Sequence, residues 1–286
     1  MKTYEHLVGI GDTRLNIAER GDGYPLMILH GGPGLDHHEF GDYLDPLCDQ
    51  FHLILVDERA QGKSDMCPES TWTLEQMAKD IAFLAEALNL KKHALLGHSY
   101  GAFVALQNAV DFPGHAAQTI VSGGIPSARF LSVVQENLQK LEPADIREKV
   151  IASWDREASV KTQAEFAELM HDQMPFHFGN PLDLRLAEYE ERTKDMVYAP
   201  AMLRHFSAND YGSIEVEDKL KNVTQPVLIC TGRLDRVCTT SAAETMAKGL
   251  PHSELVIFEH SGHMTFVEEN EKYLKVVRDF LNKSMN

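Results

Sequence analysis

Gly97-His98-Ser99-Tyr100-Gly101 holds a serine with a glycine two residues away on each side. A serine hydroxyl is a weak nucleophile until a neighbouring base takes its proton and fixed donors stabilise the charge its attack creates. The motif follows a short apolar run, His93–Leu96. It opens a segment in which Phe103, Val104, Leu106 and Val110 recur at helical spacing before Pro113. A strand that turns sharply into a helix at a serine projects the hydroxyl above the sheet, beside a helix N-terminus that favours negative charge. Glycines on either side keep Cβ atoms out of so tight a turn. An ordinary glycine-rich turn would share this composition; the strand before it and the helix after it favour the catalytic reading.

His30-Gly31-Gly32-Pro33-Gly34 directly follows a second apolar run, Pro25–Leu29. Glycines after a strand let backbone N–H groups approach a ligand closely. An oxyanion hole needs two such groups, and Tyr100, just after the serine, supplies one candidate. Gly32 is the expected source of the other, although the loop taken alone also reads as a plain turn.

The chain has 14 histidines, so placement must select the base. His263 lies in His260-Ser261-Gly262-His263, between the run Leu255–Phe258 and a last amphipathic helix over about Glu269–Asn282. His260 is the nearest competitor and sits closer to the strand. Asp235, in Thr231-Gly232-Arg233-Leu234-Asp235, follows the run Pro226–Cys230 and can orient the imidazole. A helix cap or an ion pair with Arg233 or Arg236 is the alternative role for that carboxylate.

These residues need a scaffold. The strand candidates Pro25–Leu29, Leu53–Val56, His93–Leu96, Ala117–Val121, Pro226–Cys230 and Leu255–Phe258 are nearly continuous in apolar residues, as strands covered on both faces are. Between two of them Leu74, Met77, Ile81, Leu84 and Leu88 mark a helix over Thr73–Leu90, with a capping box of Thr73 and Gln76. The alternation predicts a mostly parallel twisted sheet with helices on both faces. It breaks between about 127 and 222, where no convincing strand appears; Pro143 can open one helix after the segment Phe130–Leu141, Val160–Met174 reads as another and Leu184–Arg192 as a third. An insertion between parallel strands commonly lies over their carboxyl ends, where ligands bind. The expected division is a core from 1 to 126, a helical cap from 127 to 222, and the rest of the core from 223 to 286. The cap's large apolar groups, among them Phe130, Trp154, Phe166, Met170 and Tyr198, mainly form its own core, with a few left to face the cavity below.

Composition narrows the partners. The 286 residues carry 27 basic and 43 acidic side chains, a net charge of −16. Such an excess repels phosphate backbones and anionic bilayers, which argues against nucleic acid and membrane binding. No apolar run exceeds five residues, too short for a transmembrane helix. Met1 to Ile10 lacks the apolar core of a secretory signal. Cys48, Cys67, Cys230 and Cys238 show no CxxC spacing and read as reduced thiols of a cytoplasmic protein, not as a zinc site or disulfide frame.

With these motifs in place, the sequence resembles the α/β-hydrolase superfamily over essentially its whole length. HGGPG at 30–34 is similar to the oxyanion loop of the proline iminopeptidase-like group. Val56–Ser64 is similar to that group's D-x-R-G-x-G-x-S pattern, with Ala60 in place of the usual glycine, and Val121-Ser122-Gly123-Gly124 also matches. The resemblance implies an α/β-hydrolase fold with an inserted helical cap, a triad of Ser99, Asp235 and His263, and an oxyanion hole of Gly32 and Tyr100. Aminopeptidases of the group hold a free amino terminus with acidic residues. One of these commonly follows the triad aspartate, where this chain has Arg236. A second sits late in the cap, where Asp210 corresponds; Glu188, Glu190 and Glu191 are further candidates that a solvated helix face also explains. The glycine loop also occurs in relatives resembling esterases and lactonases.

The expected function is a serine hydrolase that cleaves a small amide or ester, or a short peptide, through an acyl-enzyme without metal or redox cofactor. A proline iminopeptidase-like aminopeptidase comes first and a carboxylesterase or lactonase second. A catalytically silent receptor or scaffold on the same fold is the third possibility, disfavoured by the complete triad.

Overall fold

The computed structural model describes residues 2–283; Met1 and residues 284–286, the outer ends of the two expected core segments, lie outside the described residues. The chain begins with three strands, β1 (Tyr4–Gly9), β2 (Arg14–Arg20) and β3 (Tyr24–Leu29). Next come β4 (Phe51–Val56), α1 (Leu74–Ala87), β5 (Ala94–His98), α2 (Tyr100–Asp111) and β6 (Gln118–Ser122). A helical stretch follows: α3 (Val134–Gln139), α4 (Ala144–Arg156), α5 (Gln163–His177), α6 (Arg185–Arg192) and α7 (Pro200–Ser207). The chain then returns through β7 (Val227–Gly232), α8 (Thr240–Gly249), β8 (Ser253–Phe258), α9 (Thr265–Glu268) and α10 (Asn270–Asn282).

One eight-stranded sheet runs in the order β1-β2-β4-β3-β5-β6-β7-β8. β3 to β8 are mutually parallel, while β2 pairs antiparallel with both β1 and β4. Alternate residues of β3 explain the two cores. Met27 and Leu29 pack with residues of α1, α2 and α8 on one face. Leu26 and Ile28 pack with Phe40, Phe258 and the Tyr273, Val277 and Phe280 side of α10 on the other. From β3 the chain steps to β4 on one side and then to β5 on the other. That reversal opens a crevice at the carboxyl ends of β3 and β5, where the glycine loop and Ser99 stand.

The six expected strands all form, with ends shifted by a residue or two. β1 and β2 were not expected. β1 alternates exposed and half-buried positions at the sheet edge, and β2 carries Asn16 at a buried position, so neither shows an apolar run. Asn16 is satisfied there because its Nδ2 donates to Glu5 and to Asp57. The segment Phe130–Leu141, ahead of the helix expected at Pro143, holds part of a 3-10 turn (Ala128–Val133) and the short α3. The expected capping box is only half made: Thr73 Oγ1 accepts from Gln76 N, but the Gln76 amide donates forward to Asp80. α7 was not expected, although Pro200 stands at its favoured first position. All four cysteines are free, and no helix among the described residues is long and apolar enough to cross a membrane.

The segment after β4 holds the glycine loop in place. Asp57 accepts from His37 through backbone N–H and Nδ1, from Lys63 N and from Asn16. Glu58 N donates to His30 Nε2, and Gln61 Oε1 accepts from Gly34 N. Ala60, where glycine is usual, adopts φ 59°, so the backbone keeps the left-handed turn and bears the Cβ strain. Arg59 is wholly buried and makes a two-pronged pair with Asp80 of α1 at 2.6 and 2.7 Å. Arg59 also reaches Asp12 at 3.2 Å, but that carboxylate is exposed and screened by water, so losing Asp80 leaves the buried charge poorly compensated. Asp80→Asn should therefore lower unfolding stability in urea by about 3–5 kcal/mol, and a loss below about 1 kcal/mol would show that this pair does not anchor the segment.

Candidate active site

Ser99 sits at φ 53°, ψ −118°, a conformation that side-chain-bearing residues rarely adopt. Packing forces it. A Cβ on Gly97 would lie 2.0 Å from Gly101 O, and a Cβ on Gly101 would lie 2.4 Å from His30 O and 2.5 Å from Leu29 O. The turn is thus pressed against the end of β3, and Ser99 N is tied to Ser122 O of β6 at 2.9 Å. Tyr100 opens α2, so its N–H has no carbonyl one turn earlier to bond. Its ring is buried, with Oη against Met77 Sδ, and only its backbone serves the site. Gly32 has φ 115°, and a Cβ there would meet Gly34 N at 2.8 Å. Gly32, Ser99, Tyr100 and His263 line one cavity of about 320 Å³ between the sheet and the helical stretch.

His263 Nδ1 lies 2.7 Å from Asp235 Oδ2, with both side chains buried. The other oxygen, Asp235 Oδ1, accepts from Val237 N and Cys238 N. Neither alternative role as an ion pair applies: Arg233 binds Glu259, and Arg236 binds backbone carbonyls. His263 Nε2 is buried and unpartnered among the described residues, in the cavity it shares with Ser99. Burial pushes the His263 pKa down, but Asp235, with help from Glu39, outweighs it and leaves the imidazole above its ordinary value. His260 is exposed and outside the cavity. His98, just before the serine, packs against His263 at 4.9 Å; burial and the charge on His263 hold its pKa far down, so it stays neutral.

The carboxylates differ from expectation. Glu188 does not reach the cavity; it pairs with Arg192 on the exposed face of α6, because its helix turns Tyr189 inward instead. Asp210 lines the cavity from an exposed rim position. Two buried carboxyl groups that sequence reasoning passed over lie inside. Glu39, in the turn after the glycine loop, accepts from Gly31 N at 2.5 Å. A Cβ on Gly31 would meet Glu39 Oε1 at 2.7 Å and Ser99 Cβ at 3.1 Å, so Glu39 and the serine face the same point from two sides. Burial raises Glu39 to about 7, opposed by the Gly31 N–H and His263. Glu157, at the end of α4, accepts from Gln173 at 2.8 Å and from Tyr211 Oη at 2.5 Å, and burial raises it too. No lysine or arginine lines the cavity among the described residues. Arg236 faces away from it.

A family model described as "alpha/beta hydrolase fold" matches residues 24–270. The proline iminopeptidase of Heyndrickxia coagulans is 31% identical over 272 residues, covering 92% of each chain. Among solved structures, a hydrolase from Bacillus anthracis superposes with a TM-score of 0.80 at 22% identity, covering 97% of this chain and 99% of its own. An esterase from Exiguobacterium antarcticum superposes with a TM-score of 0.76 at 23% identity, covering 98% and 100%. The parallel sheet, the strained serine turn and the match across most of the chain agree: the protein belongs to the alpha/beta hydrolase fold family.

Proposed function

We propose that the protein is a serine hydrolase acting through a Ser99-His263-Asp235 triad, and that it is a proline iminopeptidase-like aminopeptidase. Ser99 Oγ attacks the scissile carbonyl carbon while His263 Nε2 takes its proton, and Asp235 steadies the imidazolium. The N–H groups of Gly32 and Tyr100 hold the oxyanion. His263 then protonates the leaving nitrogen, and an acyl ester remains on Ser99. Water, deprotonated by His263, hydrolyses that ester and frees the serine.

The observation that carries the aminopeptidase reading is the charge of the cavity: Glu39, Glu157 and Asp210 line it against no basic side chain but histidine. A protonated amine entering a partly dry cavity needs such a carboxylate partner. The α-amino group of an amino-acid amide is one carbon from the attacked carbonyl, so its partner must stand near the serine. Glu39 meets that condition; Asp210, exposed at the rim, is screened by water. The remaining lining, including Phe103, Phe166, Met170 and Leu203, suits an apolar ring. The 31% identical iminopeptidase supports the same reading. One feature favours the second reading, a carboxylesterase or lactonase: burial raises both Glu39 and Glu157, so they can be neutral in the empty cavity, which then resembles an acyl pocket.

Ser99→Ala should leave a folded protein with kcat reduced by about 10⁴- to 10⁶-fold. His263→Ala should be nearly as damaging and His260→Ala mild; equal losses for the two histidines would leave the base unassigned. The kcat/KM of the wild type should rise with pH as His263 loses its proton, with a midpoint above about 6.5 because Asp235 and Glu39 raise that pKa. Glu39→Gln removes one of those two anions and should move the midpoint down; an unchanged or higher midpoint contradicts the electrostatic link. On the plateau of each profile, Glu39→Gln should weaken kcat/KM for prolyl and alanyl amides by about 1.5–3 kcal/mol, while neutral acyl esters barely change. If the wild type ignores aminoacyl amides, or both substrate classes fall equally, the esterase or lactonase reading replaces this one.

A further inference from the structure

Arg236 and Glu268 take no part in the chemistry above, yet each stands beside a triad residue. Arg236 follows Asp235 directly, and Glu268 lies in α9 just beyond His263. Both reach the same stretch of chain, the end of α5. Arg236 Nη1 donates to Phe178 O at 2.6 Å and Nη2 to Gly179 O at 2.9 Å, with a longer contact from Nη1 to Phe176 O at 3.3 Å. These carbonyls belong to a helix C-terminus, which lacks partners of its own and favours a cation. Glu268 uses its two oxygens differently: Oε1 accepts from Gly179 N at 2.8 Å, and Oε2 accepts from Gly262 N at 2.7 Å. One carboxylate therefore joins the helix end to the residue before the base.

The join continues into the base itself. His263 N donates to His177 O at 2.7 Å, and the two rings pack at a tilt of 53° with centroids 5.5 Å apart. The backbones are in close contact: a Cβ on Gly262 would lie 2.5 Å from both His177 O and Gly179 N, and a Cβ on Gly232 would lie 1.9 Å from Gly262 O. The loop bearing Asp235, the loop bearing His263 and the end of α5 thus form three stacked layers, bridged by Arg236 and Glu268.

We propose that Arg236 and Glu268 are positioning residues that fasten the end of α5 to the loops of Asp235 and His263, so that the base is aligned only while this segment is seated. The inference rests on the proposed triad. It also gives Arg236 a role that explains a cation where an amine-binding acid is common in similar chains: the guanidinium serves the backbone, not the substrate.

Three variants test it: Glu268→Gln, Arg236→Met and Gly179→Ala. The first keeps the volume but offers one acceptor and turns an N–H donor toward a backbone N–H. The last adds a Cβ that would meet Leu234 Cδ1 at 3.0 Å, Gly262 N at 3.1 Å and Glu268 Oε1 at 3.2 Å, prising the layers apart without backbone strain. The readouts are the rate of Ser99 labelling by a fluorophosphonate, measured per folded molecule by circular dichroism, and the separate values of kcat and KM. Displacements near 1 Å can cost about 10²-fold in rate. Labelling and kcat should fall by about tenfold or more in Glu268→Gln and Arg236→Met, and by a smaller factor in Gly179→Ala, with KM nearly unchanged. Folded variants that label at the wild-type rate overturn the fastening role while leaving the triad intact. If the two charge variants fail to fold, Gly179→Ala decides alone by the same criterion. A wild type that does not label at Ser99 overturns the hydrolase reading first, and this inference with it.

Discussion

The turn at Ser99 is pressed so closely onto the end of β3 that only glycines fit around it. Carbonyls of Leu29 and His30 would lie 2.5 Å or less from a Cβ on Gly101, and Gly97 has a carbonyl 2.0 Å from where its own Cβ would stand. That contact couples two elements far apart in sequence. The serine cannot shift without moving the strand whose end carries the glycine loop. The segment after β4 holds that loop from the other side through Asp57, Glu58 N and Gln61. Ser99 and the proposed oxyanion donors are therefore fixed relative to one another, as electrostatic stabilisation of a developing charge requires.

The electrostatics of the cavity follow from burial more than from net charge. The chain carries an acidic excess of 16, but most of its carboxylates lie outside the cavity, many in surface ion pairs. Glu39 and Glu157 differ because they are buried without a cationic partner. Both hold their carboxyl oxygens to neutral donors instead, and both are pushed upward in pKa. Such groups are poised to ionise against an incoming cation. A buried carboxyl that is already paired would gain little from one.

Much of the fold was legible because covered parallel strands are almost purely apolar, and six of them stood out as runs. β1 was hidden because it has no buried position at the sheet edge, and β2, although buried on both faces, because Asn16 interrupts it with a polar side chain satisfied by distant partners. At the candidate site, glycine spacing and chain order pointed to Ser99, Asp235, His263, Gly32 and Tyr100; the structure bonds His263 to Asp235 and sets the other three around the cavity that His263 lines, and their roles are proposals. Glu39 was not, because it belongs to no motif and its proximity to Ser99 arises only when β3 and β5 pair. Its one sequence signal was an acid shortly after a glycine loop. Glu188 misled for the opposite reason: an acid-rich helix looks like a binding surface until the turn that faces inward proves to be Tyr189.

The most direct measurement is a rapid-mixing experiment with an activated prolyl ester, followed by acid quench and peptide mass analysis. The expected result is a burst of leaving group equal to one per active site, with the mass of the prolyl group found on the peptide containing Ser99. Steady turnover without a burst, and with no acyl mass on Ser99 even when the quench is fast enough to trap it, would contradict nucleophilic catalysis by that serine.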